Sequence, residues 1–204
     1  MLKIYHAPRT RSVRIVWLLE ELGLPYDMHK LAFDPSDLQD PSYLAVNPLG
    51  LVPTLEDDGL VLSESGAITQ YLLGKYGAGR LEPTHGTPQH ARHLYWLHLA
   101  EATMMTPLVN IFQHTFRLPE QDRAPKAFLD YSHAKLRAIL ALIEAELQDR
   151  DFICGRELTA ADIMLGYNIH FARMLQIPLD DYPAIKAWYP RLRARPGFQK
   201  AAAK

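Results

Sequence analysis

The chain has 204 residues, 48% of them hydrophobic and 22% charged, which is enough for one large or two small cores. A formal net charge of -1 provides no global field for nucleic acid or an anionic membrane surface. Cys154 is the only cysteine, which excludes an intrachain disulfide and suits a reducing compartment.

The N-terminus runs directly from Met1 into an alternating pattern, without the apolar core and cleavage site of a signal peptide. No apolar run approaches membrane-spanning length, so a soluble cytoplasmic protein is expected. Leu2 and Ile4 predict a short strand ending at Ala7-Pro8. Ser12 to Leu22 carries Val13, Ile15, Val16, Leu18, Leu19 and Leu22, a broad apolar helical face stopped by Gly23 and Pro25. Tyr26 to Leu31 predicts a second strand, and strand–helix–strand suggests a parallel crossover. Val52–Glu56 and Leu60–Leu62 flank Asp57-Asp58-Gly59 and predict a hairpin. A helix from about Ser65 to Tyr76 follows. The β-α-β then β-β-α order is that of an α/β thioredoxin-like N-terminal domain, here spanning 1–77.

Gly77, Gly79, Pro83, Gly86 and Pro88 mark a linker over 78–88. From 89 to 204 strand signals vanish, and an all-α helical C-terminal domain is predicted, with helices near 89–115, 123–148, 160–174 and 182–194. Pro107 predicts a kink in the first of these. Thr159-Ala-Ala-Asp162 is a capping box, with Leu158 and Ile163 spaced as a hydrophobic staple. This reading makes Asp162 structural, with removal of Thr159 or Asp162 costing about 1 kcal/mol each. After Asp181 there is no acid, while Lys186, Arg191, Arg193, Arg195, Lys200 and Lys204 follow; this reads as a solvated helical face and tail. His90 and His93 share a helical stretch but lack a third residue spaced to complete a metal site, so no metal and no cofactor is expected.

The segment Asn47-Pro-Leu-Gly-Leu51-Val52-Pro53-Thr-Leu55 reads as a turn entering a strand, and Ser63-Glu64-Ser65-Gly66 as a helix start rich in hydroxyls. Together they offer an extended backbone edge and a helix N-terminus, a pair able to hold an anionic peptide. A thiol titrates near ~8.5, so a site using a thiolate must stabilise the anion. Thr10 and Ser12, at the start of the first helix, offer a hydroxyl and the positive end of a helix for that task.

These motifs, in this order, resemble the cytosolic glutathione transferase family, of bacterial type with a serine/threonine-class site. Thr10-Arg-Ser12-Val-Arg14 is similar to the family's Ser-x-x-x-Arg element. The resemblance therefore makes Thr10 the first candidate for stabilising the glutathione thiolate and Ser12 the second, with helix capping as the plain alternative for each. Tyr5 lies inside the strand pattern and reads as a packed aromatic; Arg14 reads as half of a structural ion pair. The resemblance further implies a cis Val52-Pro53 bond that offers Val52 to the cysteinyl part of glutathione. It also implies that Glu64 and Ser65 bind the γ-glutamyl end. Leu51 stands where the family often has lysine or glutamine, leaving Asn47, His29 or Lys30 for the glycyl carboxylate. A hydrophobic electrophile is implied between the domains, walled by His6, Ala7 and Arg9 on one side and Tyr95, His98, Met104 and Met105 on the other. The activity implied is conjugation of glutathione to that electrophile by a homodimer. A glutathione-dependent isomerase, peroxidase or dehalogenase, or a non-catalytic binding protein, stay open. Cys154 is far from the first helix and reads as a small packing residue, against disulfide exchange.

Overall fold

The computed structural model describes residues 1–204. The chain divides into two compact units: residues 1–82 together with 193–204, and residues 83–192.

The first unit is built on a four-stranded sheet in the order β2-β1-β3-β4, with β1 Leu2–His6, β2 Tyr26–Lys30, β3 Thr54–Asp57 and β4 Leu60–Ser63. Strands β1 and β2 are parallel, whereas β3 runs antiparallel to both β1 and β4. Asp58 and Gly59, at φ 46° and 88°, make the tight β3–β4 turn, the conformation that an Asp-Gly pair tolerates best. Helix α1, Ser12–Leu22, has the predicted bounds. Its C-cap Gly23 sits at φ 65°, and the next amide, Leu24 N–H, reaches back to Leu19 O at 3.0 Å.

Two one-turn helices, α2 Pro35–Leu38 and α3 Pro41–Leu44, went unpredicted. Each follows an Asp-Pro pair in which the aspartate accepts the amide two residues on, Ser36 or Ser42, at 2.8 Å. Helix α4, Ser65–Leu72, continues through a π-helical turn, Leu73–Gly77. Burial alone would raise the Asp57 carboxyl. Lys75 Nζ at 2.6 Å and the Tyr71 and Tyr76 hydroxyls at 2.7 Å outweigh that and hold it at about 2. A folded-state value below the unfolded one contributes stability above about pH 4 that is lost as pH falls toward about 2. Asp57→Asn is therefore expected to flatten the acid limb of a urea-midpoint-against-pH profile in that window.

The last helix corrects the predicted domain boundary. Residues 193–204 belong with the N-terminal unit, where α10, Pro196–Ala203, packs on α1. Phe198 meets the Trp17 ring edge-on at 5.0 Å. Gly197 lets the helices approach, since a Cβ there would lie 3.1 Å from Trp17 Cδ1. Lys186, Arg191, Arg193 and Lys200 are exposed, as a solvated face requires, but the tail also pairs with acids of α1: Arg195 grips Glu21 through two bonds of 2.7 Å, and Lys200 and Lys204 reach Glu20 at 3.0 Å. Like-signed side chains gather at the C-terminus because their acids stand on α1.

The second unit is helical. It contains α5 Pro88–His98, α6 Met105–Phe112, α7 Lys126–Leu147, α8 Ala160–Met174 and α9 Pro183–Arg193. A π-helical stretch, Leu99–Met104, joins α5 to α6 within the turn before Pro107, where the proline ring crowds the carbonyl four residues back. Asn168 Nδ2 donates to Ala100 O in that stretch at 2.7 Å. The box opening α8 is present, and Asp162 does more than cap. One oxygen accepts Thr159 N–H and Oγ1–H, each at 2.9 Å; the other accepts Ile153 N–H at 2.7 Å and Trp188 Nε1–H at 3.1 Å. No helix is long and apolar enough to cross a membrane.

Candidate functional site

The end of β1 and the start of α1 form a turn of buried hydroxyls. Arg9 takes φ 62°, a left-handed conformation costly for any residue that carries a Cβ, and so folds the chain back before Thr10. Thr10 Oγ1 donates toward Ala7 O at 2.7 Å and accepts Ser12 N–H at 3.3 Å. Ser12 Oγ lies 2.7 Å from Thr10 Oγ1, 2.8 Å from His6 Nδ1 and 3.1 Å from Ala7 O, and accepts Ala7 N–H at 3.2 Å. Ser12 is 0% exposed with its oxygen surrounded by protein, whereas Thr10 keeps 7%. Of the two predicted hydroxyls, then, Thr10 is the one with surface to offer a ligand.

The wall expected of His6, Ala7 and Arg9 is divided. His6 and Ala7 are both fully buried, and Ala7 spends its backbone on the hydroxyl turn, so only Arg9 is exposed. Tyr5 packs against Tyr43 and Leu31 and donates to Glu56, in keeping with a structural aromatic.

The Val52-Pro53 bond is cis, as the family resemblance implied. Val52 is half-buried and Pro53 buried. Asn47 is 4% exposed and fully committed to this loop. Its Nδ2 donates to Leu51 O at 2.8 Å and Thr54 Oγ1 at 2.9 Å, and its Oδ1 accepts Leu49 N–H at 3.1 Å. Those bonds make Asn47 a clamp on the loop. Gly50, at φ 60°, is required beneath it, because a Cβ would lie 2.5 Å from Leu38 O. Leu51 itself is exposed, as are His29 and Lys30 at the end of β2.

Glu64 precedes α4 with φ 71°, a second left-handed outlier on an exposed non-glycine residue. Ser65 opens α4 and is buried; its Oγ accepts a hydrogen bond from Arg14 Nη1 at 3.0 Å. Arg14, fully buried on α1, thus places a guanidinium beneath Ser65, a partner the sequence reading did not anticipate. A helix N-terminus, a hydroxyl and a buried cation together favour a carboxylate.

In the second unit, Tyr95 and His98 line a groove of about 960 Å³ with Thr106, Tyr131 and Leu142. Met105 is buried and does not line it. By ideal spacing Met105, seven residues after His98, would share that face; the π-helical stretch Leu99–Met104 shifts it into the core and brings Thr106 to the groove instead. Cys154 is partly buried and burial pushes its thiol up to about 12, the behaviour of an inert packing residue. His90 stacks on His85 at 4.2 Å between centroids, with His93 at 6.2 Å.

Residues 1–74 match the model of the glutathione S-transferase N-terminal domain, and residues 93–191 that of the glutathione S-transferase C-terminal domain. The chain belongs to the glutathione S-transferase family. Its relatives include glutathione S-transferases of a plant, a yeast and a bacterium, which are enzymes. Glutathione S-transferase GstB of Escherichia coli (strain K12) is 32% identical over 94% of this chain and 92% of its own. Glutathione S-transferase 1 of Triticum aestivum is 31% identical, covering 96% and 90%. Among solved structures, a glutathione transferase homolog from Lodderomyces elongisporus, with two GSH per subunit, superposes with a TM-score of 0.90 at 26% identity, over 99% of this chain and 97% of that one. A theta class glutathione S-transferase from Xanthomonas axonopodis pv. citri with glutathione bound gives 0.85 at 30% identity, covering 100% and 97%.

Proposed function

We propose that this glutathione S-transferase binds glutathione on its N-terminal unit and conjugates the thiolate to a hydrophobic electrophile. The observation that carries the reading is the hydroxyl pair at the end of β1, of which Thr10 alone retains surface. Thr10 donates a hydrogen bond to the sulfur anion, and the start of α1 adds its amide dipoles. Val52 meets the cysteinyl backbone beside Pro53. Ser65 and the first amides of α4 take the γ-glutamyl carboxylate, with Arg14 behind Ser65 and Glu64 directed to the amino group. Asn47 acts at one remove, holding the loop that carries Val52. His29 or Lys30 takes the glycyl carboxylate in place of Leu51, and Arg9 stands by the electrophile. Relatives solved with glutathione support the peptide ligand.

The groove lined by Tyr95 and His98 is better suited to a homodimer face than to the electrophile. Tyr95, Tyr131 and Leu142 are large apolar side chains exposed along it, which suits the covering face of a second copy. Sedimentation at working concentration reads that state.

Calorimetric titration with glutathione tests the binding half. Ser65→Ala is expected to weaken binding about tenfold or more, because it leaves the Arg14 guanidinium without its hydroxyl acceptor and the carboxylate without a donor. Unchanged affinity in that variant would remove Ser65 from the site.

A further inference from the structure

Thr10 sits in a chain of hydrogen bonds that ends on a buried imidazole. His6, at the end of β1, is 0% exposed; its Nδ1 lies 2.8 Å from Ser12 Oγ, which lies 2.7 Å from Thr10 Oγ1. Both hydroxyls also compete for one carbonyl, Ala7 O, at 2.7 Å from Thr10 and 3.1 Å from Ser12. Each hydroxyl has a single proton, so the direction of one bond constrains the others.

The proton count can be followed from the ligand inward. If Thr10 gives its proton to a sulfur anion, the 2.7 Å contact between Thr10 Oγ1 and Ser12 Oγ can be bridged only by the proton of Ser12, while Ala7 O keeps the Thr10 N–H at 3.4 Å. Ser12 can supply that proton only if it is not donating to His6. Its oxygen must then accept from Nδ1–H of the imidazole. His6 is neutral at pH 7, since burial first and then the nearby Lys30 and Lys204 charges lower it to about 4, so the ring carries one proton. Nε2 is buried without a hydrogen-bond partner, so a proton on Nδ1 has an acceptor where one on Nε2 has none.

We propose that His6 is a positioning residue for the thiolate: as the Nδ1–H tautomer it donates to Ser12 Oγ, Ser12 turns its proton to Thr10 Oγ1, and the Thr10 hydroxyl is left to donate to the sulfur. No proton changes owner and no bond to hydrogen breaks; only the acceptors change. The inference rests on the reading of Thr10 as the sulfur's partner. His6 never touches glutathione.

The test follows the thiol of bound glutathione by its ultraviolet thiolate absorbance across pH, in wild type, His6→Leu, His6→Asn and Thr10→Ala. His6→Leu is expected to raise the midpoint by about one unit, a tenfold loss of thiolate at a fixed pH. His6→Asn, whose amide nitrogen can stand near the Nδ1 position and donate, is expected to restore most of the shift. A wild-type midpoint in His6→Leu beside a raised one in Thr10→Ala overturns the role of His6 and leaves Thr10 in place. Wild-type midpoints in both variants overturn the reading of Thr10 itself. Nitrogen-15 NMR of the histidines in the glutathione-loaded wild type needs no variant to fold. Nδ1–H on His6 is expected, and Nε2–H would overturn the inference.

Discussion

Thr10→Ala is expected to lower the rate of glutathione conjugation about ten- to a hundredfold, with most of the loss in kcat. A hydrogen bond to a charged group contributes about 1.5–3 kcal/mol, and about 1.4 kcal/mol is a factor of ten. The loss falls on kcat because peptide binding is proposed to rest elsewhere, on Val52, Glu64 and Ser65. The fold should survive the change. Ser12 Oγ stands 3.1 Å from the same Ala7 carbonyl and can keep it satisfied. Thr10→Ser keeps the hydroxyl and is expected to stay within a few-fold of wild type. Steady-state kinetics with a chromogenic aromatic electrophile reads both variants. A Thr10→Ala enzyme of full activity would show that the sulfur is stabilised by another group.

Asp162→Ala should be the most destabilising single change outside the site. Sequence alone suggested about 1 kcal/mol for losing one partner of a capping box. In the structure the carboxylate is fully buried and accepts four donors, from Ile153, two atoms of Thr159, and Trp188. Its removal strands those donors without water, at about 1–3 kcal/mol for each group left unpaired. Relaxation recovers part of that sum, and a net loss of about 3–5 kcal/mol is expected, the range for breaking a buried charged network. Urea unfolding should show a lower midpoint at an unchanged slope. Asp162→Asn should fall between, because it keeps the shape and one acceptor while turning an NH₂ toward donors. The residue joins the start of α8 to the loop at Ile153 and to α9, so one carboxylate registers three segments of the helical unit.

Local signals in the sequence were read well where one segment carried the whole message. Val13 to Leu22 spells a buried face, Gly23 ends it, and the structure returns that helix with its left-handed cap. Asp58-Gly59 specifies its turn, and Thr159 with Asp162 specifies the start of α8. What stayed hidden depends on residues far apart in sequence. The charges of Arg195, Lys200 and Lys204 gain meaning only beside Glu20 and Glu21, more than 170 positions earlier. The same pairing draws the last helix into the first unit.

The candidate site divides in the same way. The resemblance ranks Thr10 first and Ser12 second; burial leaves Thr10 alone with exposed surface. Asn47 is a candidate ligand in the sequence because Leu51 cannot pair with a carboxylate; its three hydrogen bonds within the loop are again a tertiary fact. Arg14 reads as half of a structural ion pair within the family-like element, and His6 as part of the electrophile wall. Their proximity to Ser65 and Ser12 is a tertiary fact. Spacing places Met105 on the His98 face, two turns on; the π-helical stretch between them, which no local signal announces, turns it away.

The most direct measurement is the ultraviolet absorbance of the thiolate when glutathione is added to the wild-type protein at pH 7. The account predicts a saturable thiolate signal that tracks binding, as a site that lowers the thiol below its free value of about 8.5 requires. Saturable binding without any thiolate would contradict it, leaving a glutathione-binding protein in which the hydroxyl at Thr10 has no catalytic use.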